Sequence, residues 1–508
     1  VNRLFGLALL LSTSLSAAQN VVISPRPDKV AVTVYRDPNG AGVMDLGWLE
    51  GFALISETRV VDLPAGSSDV RFEGVAGGLV PQSAVVSGLG DSVREKNRDA
   101  KLLSPGTLLD ASLGQRVTVR RTSRATGKVT EQEAVIRAAV NGVVLETKDG
   151  VETLRCDGES ETLLPAHLPT TLSAKPTLSI RVDAAKPYRG PVTLSYLSSN
   201  FDWRAHYVAT LGPDGKTLSL FAWLTLANAD ETGFVNADTM AVAGLLNRED
   251  AQRLEPETRS IRLNCWPTQR THETPSGMPP PPPPPPEPER DDFIVVTGSR
   301  AMRTETLLNE LPQVIAQREN LGDLKLYRIP IPVTVASNSQ KQVALIRQPK
   351  AQFRSIYRWR SAFASVSNEP QVAARTLVFE NREQSGLGLP LPAGSFTLYA
   401  MREGQPFLVG EGRMTDRAIG EKVEVLISDS PDVRVTQRLV ERDNKSFEVD
   451  LVATNDQPFA VPFEAIFADS GIPTGNSKLK KRDGEWVWST NIPANGSKTL
   501  RFRYRNPS

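Results

Sequence analysis

Short stretches in which apolar and polar residues alternate, bounded by Gly, Pro, Asn and Asp, recur along most of the chain, while long helical periodicity is scarce. A period of two puts successive side chains on opposite faces of a strand, so the pattern predicts an all-β protein: several sandwich or barrel modules in series. The clearest element is a hairpin. In WRAHYVATL, Trp203, Ala205, Tyr207, Ala209 and Leu211 share one face; in TLSLFAWLTLAN, Leu218, Leu220, Ala222, Leu224 and Leu226 do the same. Pro213, Asp214 and Gly215 supply the turn between them. Phe221 and Trp223 fall on the opposite face of the second strand, which predicts a central pair covered on both sides.

The same alternation divides the chain. KVAVTVYRDPNG and VDLPAGSSDVRFEGVAGGLVPQSAVVSG predict an N-terminal β domain over 19–95. LGQRVTVRRTSRATGKVTEQEAVIRAAVNGVVLETKDGVETL, with short strands and Gly-containing turns, predicts a small β-barrel-like module over 96–165. A further β domain over 166–429 is interrupted at 248–325. From 430, VRVTQRLVERDNKSFEVDLVATN is followed by EWVWSTNIPANGSKTLRFRYR, where Leu500, Phe502 and Tyr504 alternate with Arg501, Arg503 and Arg505. Together they predict a C-terminal immunoglobulin-like sandwich over 430–508.

Within the interruption the periodicity disappears. Twelve of the 38 prolines lie between Pro256 and Pro288, eight of them consecutive, which favours polyproline II and a stiff, projecting loop or linker. TETLLNELPQVIAQREN, with Leu307, Leu308, Leu311, Val314 and Ile315, predicts a short amphipathic helix broken at Pro312. Between the prolines and that segment stands DDFIVVTGSR, in which Ile294, Val295, Val296 and Thr297 favour extended backbone and Gly298 allows a turn or close approach. A strand displayed on a Pro-rich arm is suited to pairing with an exposed sheet edge of a partner. A proline at Val295 is expected to abolish such pairing.

Composition narrows the setting. VNRLFGLALLLSTSLSAAQN, with a cation, an apolar run and small residues at Ser16, Ala17 and Ala18, reads as a signal peptide over 1–18, predicting export to the periplasm or envelope of a Gram-negative cell. No later stretch reaches the roughly 20 apolar residues of a membrane helix. The 59 basic and 58 acidic residues nearly cancel, which gives no electrostatic case for nucleic acid. The two cysteines, Cys156 and Cys265, are free to pair in an exported protein or to stay as buried thiols. No spacing points to a metal or cofactor.

Two resemblances follow from quoted residues. PVTLSYLSSNFDWRAHYVATL with LSLFAWLTLANADETGFVNADTMAVAG, then KLYRIPIPVTVASNSQKQVALI and WSTNIPANGSKTLRFRYR, resembles the C-terminal domain of the mucoidy-inhibitor-A-like family, a bacterial domain of unknown function. The resemblance implies an exported β-rich protein and carries over no catalytic residue. Many members place a coiled coil after an N-terminal β domain, where this chain has its barrel-like segment. IVVTGSR is similar to the segment before the plug of TonB-dependent outer-membrane receptors, which implies a TonB-like energy-coupling protein as partner for Ile294 to Gly298. The 208 residues after Arg300 cannot form such a receptor's barrel.

Candidate chemistry is sparse. Of three histidines, His167 lies in PAHLP, His272 in the Pro-rich region, and His206 on the Trp203 strand, where it reads as a sheet residue. Ser477 and Lys480 fit Ser-x-x-Lys by composition in a charged turn. In FRSIYRWRSAF, Arg354, Arg358 and Arg360 interleave with Phe353, Tyr357 and Trp359; an aromatic inner face with arginines outside is favoured over a stacking surface for sugars or bases. The reading favours an exported envelope protein that binds or scaffolds. The competing class is an envelope hydrolase or carbohydrate-binding protein whose site the linear sequence hides, and a pocket gathering carboxylates with His206 would support it.

Overall fold

The computed structural model describes residues 20–37, 44–99, 102–123, 126–139, 142–154, 160–167, 169, 172–244, 246, 315–322, 324–361, 366, 368–442, 446–467, 473–474 and 478–505. Ile294, Val295, Val296, Thr297 and Gly298 lie outside the described residues, as do Cys156, Cys265, His272 and Ser477. The chain is all-β as its alternation predicts, in several separate sheets; the one α-helix among the described residues is Pro105–Ala111. No helix of the described residues is long and apolar enough to cross a membrane.

The expected hairpin forms with Trp203 opposite Leu226 and Tyr207 opposite Ala222. Asp214 makes its turn by accepting from the Lys216 and Thr217 amides, both at 2.9 Å, and these bonds hold its carboxyl below the usual range. The pair is central: Ser339–Gln352 flanks Thr217–Asn228, Gly394–Arg402 flanks Phe201–Leu211 in parallel, and Gln405–Met414 closes the edge. The inner faces of this five-stranded sheet join one core with strands near the N-terminus, so that Val32, Ile55, Phe72, Trp203, Tyr207 and Phe396 belong to a single apolar cluster. Trp203 is completely buried and gives its indole N–H to the Val242 carbonyl at 2.9 Å, which satisfies the one polar atom that burial would otherwise penalise. On the outer face Phe221 is buried and Trp223 half-buried, with their rings edge-to-face at 4.8 Å.

The Pro-rich interruption is flanked by strands of one sheet. The chain leaves the strand Phe234–Ala243 and returns in Gln317–Leu321, which pairs with Leu324–Arg328; that strand in turn pairs with Phe234–Ala243, setting Ala243 opposite Lys325. The strands on either side of the interruption, Phe234–Ala243 and Gln317–Leu321, therefore belong to one eight-stranded sheet, with Leu324–Arg328 between them. The helix expected across 304–320 is corrected at its C-terminal end, where Ile315 bridges Ala344 and Gln317–Leu321 is a strand; the rest of that segment lies outside the described residues. Pairing with a waiting edge overrides local helix periodicity there.

The segment expected to be barrel-like forms a five-stranded sheet ordered Gly150–Thr153, Val144–Thr147, Val129–Ala138, Arg116–Thr122 and Ser160–Pro165. It is curled but open. Arg121 reaches Glu161 on one edge strand at 2.6 Å and Glu152 on the other at 2.8 Å, so a guanidinium spans the seam that backbone pairing leaves unclosed. Val117, Val119, Ala134, Ile136 and Leu145 fill the inside.

At the C-terminus a nine-stranded sheet folds over its own core. Lys422–Arg442, a single strand, pairs through its first half with Gln371–Glu380 and through its second with Ser446–Asn455. Val423, Val425 and Ile427 enter the large core, while Val433 and Val435 enter the C-terminal one. Position 430, where the sandwich was expected to begin, falls inside this strand, and the sandwich also takes Arg354–Arg360 and Gln371–Glu380 from earlier in the chain.

Candidate recognition groove

FRSIYRWRSAF becomes the strand Arg354–Arg360 with the adjoining Phe353. Alternation sorts it as expected: Phe353, Tyr357 and Trp359 are buried, and Arg354 and Arg360 are exposed. Trp359 packs edge-to-face on Phe467 and donates its indole N–H to Gln371 Oε1 at 2.7 Å. Tyr357 exchanges hydrogen bonds with the Gln457 amide.

The arginine face is where geometry adds what composition did not show. The strand pairs antiparallel with Gln371–Glu380 and parallel with Val461–Phe467, setting Arg358 opposite both Ala374 and Glu464. One strand further, Glu424 lies beside Val378. Arg358 donates Nη1 to Glu424 Oε2 at 2.7 Å and Nη2 to Glu464 Oε2 at 2.9 Å, so one guanidinium bridges two carboxylates. Arg482 holds Glu464 with two bonds, at 2.7 and 2.8 Å, Lys422 contacts Glu424, and Arg360 contacts Glu485. Beside this network lies a groove of about 650 Å³, lined by Arg358, Arg360, Gln371, Thr376 and Glu424 with Val372, Ala374 and Leu426 as an apolar floor. That volume is in the range of sites that hold small ligands or short segments.

The electrostatics decide what these carboxylates can do. Bonds from Arg358 and Lys422 hold the Glu424 carboxyl down at about 2, and bonds from Arg482 and Arg358 do the same for Glu464. Both are anions across the physiological range, and each is already committed to guanidinium. A general acid needs a proton near its working pH, which this pair does not carry. Glu424, Glu464 and Arg482 went unmarked in the sequence because they lie far apart in it; the one available signal was the alternation of arginines in FRSIYRWRSAF.

His206 stands in a different sheet from these carboxylates. It lies opposite Trp223 and beside Ser395, whose hydroxyl meets its Nδ1; burial lowers its pKa, outweighing the opposing pull of the Glu411 carboxylate. The imidazole is thus neutral at neutral pH, as a sheet residue would be, and the pocket of carboxylates with His206 that would have favoured a hydrolase is not formed among the described residues. His167 is exposed in a loop, and Lys480 lies on the short strand Lys480–Arg482. No protein-family model and no curated protein matches this chain.

Proposed function

We propose that this chain is an exported cell-envelope protein that acts by binding a partner protein and holding it on a β scaffold. The groove at Arg358 carries the reading: the two carboxylates bound to Arg358, one of them lining the groove, are fixed as anions that position arginines, an arrangement suited to recognition rather than proton transfer. The Pro-rich loop adds a second surface in this proposal. The strands before and after it belong to one sheet, so it is tied to the scaffold at both ends, and Ile294 to Gly298 would offer a strand to a partner such as a TonB-like coupling protein.

The test is an envelope pull-down with three baits analysed by mass spectrometry: the full chain, a variant lacking Asp292 to Arg300, and Arg360→Glu. Loss of one defined partner with either variant supports the reading and says which surface binds it. Recovery of nothing specific by the full chain would sink it and bring an enzymatic role to the front.

A further inference from the structure

The donors and acceptors left over in the groove specify what it would accept. We propose that it takes an acidic peptide segment carrying an apolar residue next to the acid, an inference that rests on the binding reading above and specifies its partner. Both oxygens of the groove's carboxylate and the Gln371 amide oxygen already accept hydrogen bonds. Glu424 receives Arg358 on both oxygens and Lys422 as well, and Gln371 Oε1 receives Trp359. Its donors are in surplus. A guanidinium has five N–H donors; Arg360, 57 % exposed, engages Glu485 through Nη1. Arg358 keeps a buried Nε–H with no acceptor among the described residues. The Gln371 amide nitrogen adds two more N–H groups.

A surplus of cationic and amide donors selects a ligand rich in acceptors. The floor supplies the other half of the match: Val372 and Leu426 are 45 % and 55 % exposed, large for apolar residues in interior strands of a sheet, and Ala374 lies with them along the same groove. These short side chains on an open sheet face suit the apolar side chain of a peptide better than the length of an acyl chain. Carboxylates reaching Arg360 and Gln371 would flank it. The backbone of these strands is already paired on both sides, so recognition here runs through side chains and not through strand addition.

The experiment is a fluorescence-anisotropy titration of the full chain with a fluorescein-labelled, capped hexapeptide of alternating Glu and Leu, and with counterparts carrying Gln or Lys in place of Glu. The Glu peptide should bind, more weakly as salt rises, and the Gln peptide about tenfold less tightly. The Lys peptide should not bind. Arg360→Glu and Leu426→Asp should each weaken the Glu peptide about tenfold with unchanged circular dichroism and melting temperature, since both residues are exposed. Equal binding of the three peptides, or wild-type affinity in both variants, overturns the proposal. So does binding of phosphatidylglycerol vesicles through Arg360 in place of the peptide, which would assign the groove to an anionic lipid surface. A pull-down partner that survives Arg360→Glu, with no peptide binding, overturns this inference and leaves the binding reading intact. Peptide binding by a chain that captures no envelope partner does the reverse.

Discussion

Two charged residues sit on the inner face of Phe52–Leu63, in line with Ala53, Ile55, Val61 and Leu63. Glu57 and Arg59 are completely buried, and the network around them shows how that is tolerated: Arg59 Nε donates to Glu57 Oε2 at 2.9 Å, and its Nη1 to the carbonyls of Ser24 and Glu73. Tyr196 donates to Glu57 Oε1 at 2.6 Å and accepts the Ala76 amide at 3.0 Å. Burial and the neighbouring Glu57 carboxylate push the Tyr196 phenol well above its ordinary range, so it stays a donor. Tyr196→Phe strips a partner from both Glu57 and the Ala76 amide and should cost about 2 kcal/mol in urea denaturation, whereas Glu57→Ala leaves Arg59 buried without a counter-ion and should cost about 3 to 5 kcal/mol. A cost for Glu57→Ala no larger than that of an exposed substitution would refute this account. Titration gives a second residue-scale prediction. The Glu464 carboxyl falls from its ordinary 4.5 to about 2 on folding, so the unfolded chain takes up the proton first as pH drops. Its contribution is therefore complete above about pH 4.5 and disappears as pH falls toward 2. The urea midpoints of wild type and Glu464→Gln should stand apart at pH 7 and draw together as pH falls from about 4.5 toward 2; a gap constant with pH would mean that Glu464 acts by packing alone.

Elements meet closely where side chains are absent. Gln405–Met414, the edge strand of the five-stranded sheet, crosses Lys422–Arg442 at LVGEGRM. A Cβ on Gly410 would lie 2.5 Å from the Ile427 carbonyl oxygen, and one on Gly412 would lie 2.2 Å from that of Leu426. Backbone atoms cannot swing aside as a side chain does, so Gly412→Ala must push the two strands apart. An overpacking cost of about 1 to 3 kcal/mol is expected in denaturant. Elements were also the scale at which the sequence was most readable. The Trp203 hairpin was visible because its residues are contiguous and both turn and alternation are local. Buried asparagines at strand ends were not: Asn228, Asn381 and Asn455 each donate their amide to two carbonyls of adjoining loops, and nothing in LANADE, FENREQ or ATNDQP distinguishes them from exposed turn residues. The groove was hidden for the same reason. Arg358 meets Glu464 only because Tyr357–Arg360 runs parallel to Phe463–Ile466, a pairing across a hundred residues that no local pattern encodes.

The architecture of the whole molecule turns on the strand Lys422–Arg442. Local patterning suggested a unit starting at 430 because the clear alternation of VRVTQRLV begins there, yet the core of that unit needs residues from well before it. Tyr357, Trp359 and Ala373 pack with Val433, Phe463 and Trp488, and Val461–Phe467 has Arg354–Arg360 as its parallel neighbour. A fragment 430–508 lacks those side chains, leaves Val461–Phe467 with one exposed apolar edge, and cuts the long strand where it turns from one layer to the other. Such an edge invites association. A fragment 352–508 keeps every residue of the C-terminal core and both flanking strands, while losing the part of the large core contributed by residues before 352, against which Leu377, Phe379, Val423, Val425 and Ile427 are clustered. The shorter fragment should therefore give a collapsed or aggregated amide spectrum and no cooperative melt. The longer one should show dispersed amide resonances and a cooperative but lowered transition relative to the full chain, because exposing those apolar residues removes burial without dismantling the sandwich. A dispersed spectrum from 430–508 would show that the second half of the strand and its followers suffice. Disorder in both fragments would mean that the large core must form first and that the long strand transmits its order into the C-terminal layer, so that a ligand in the groove, which straddles that strand at Glu424 and Leu426, would be sensed by both cores.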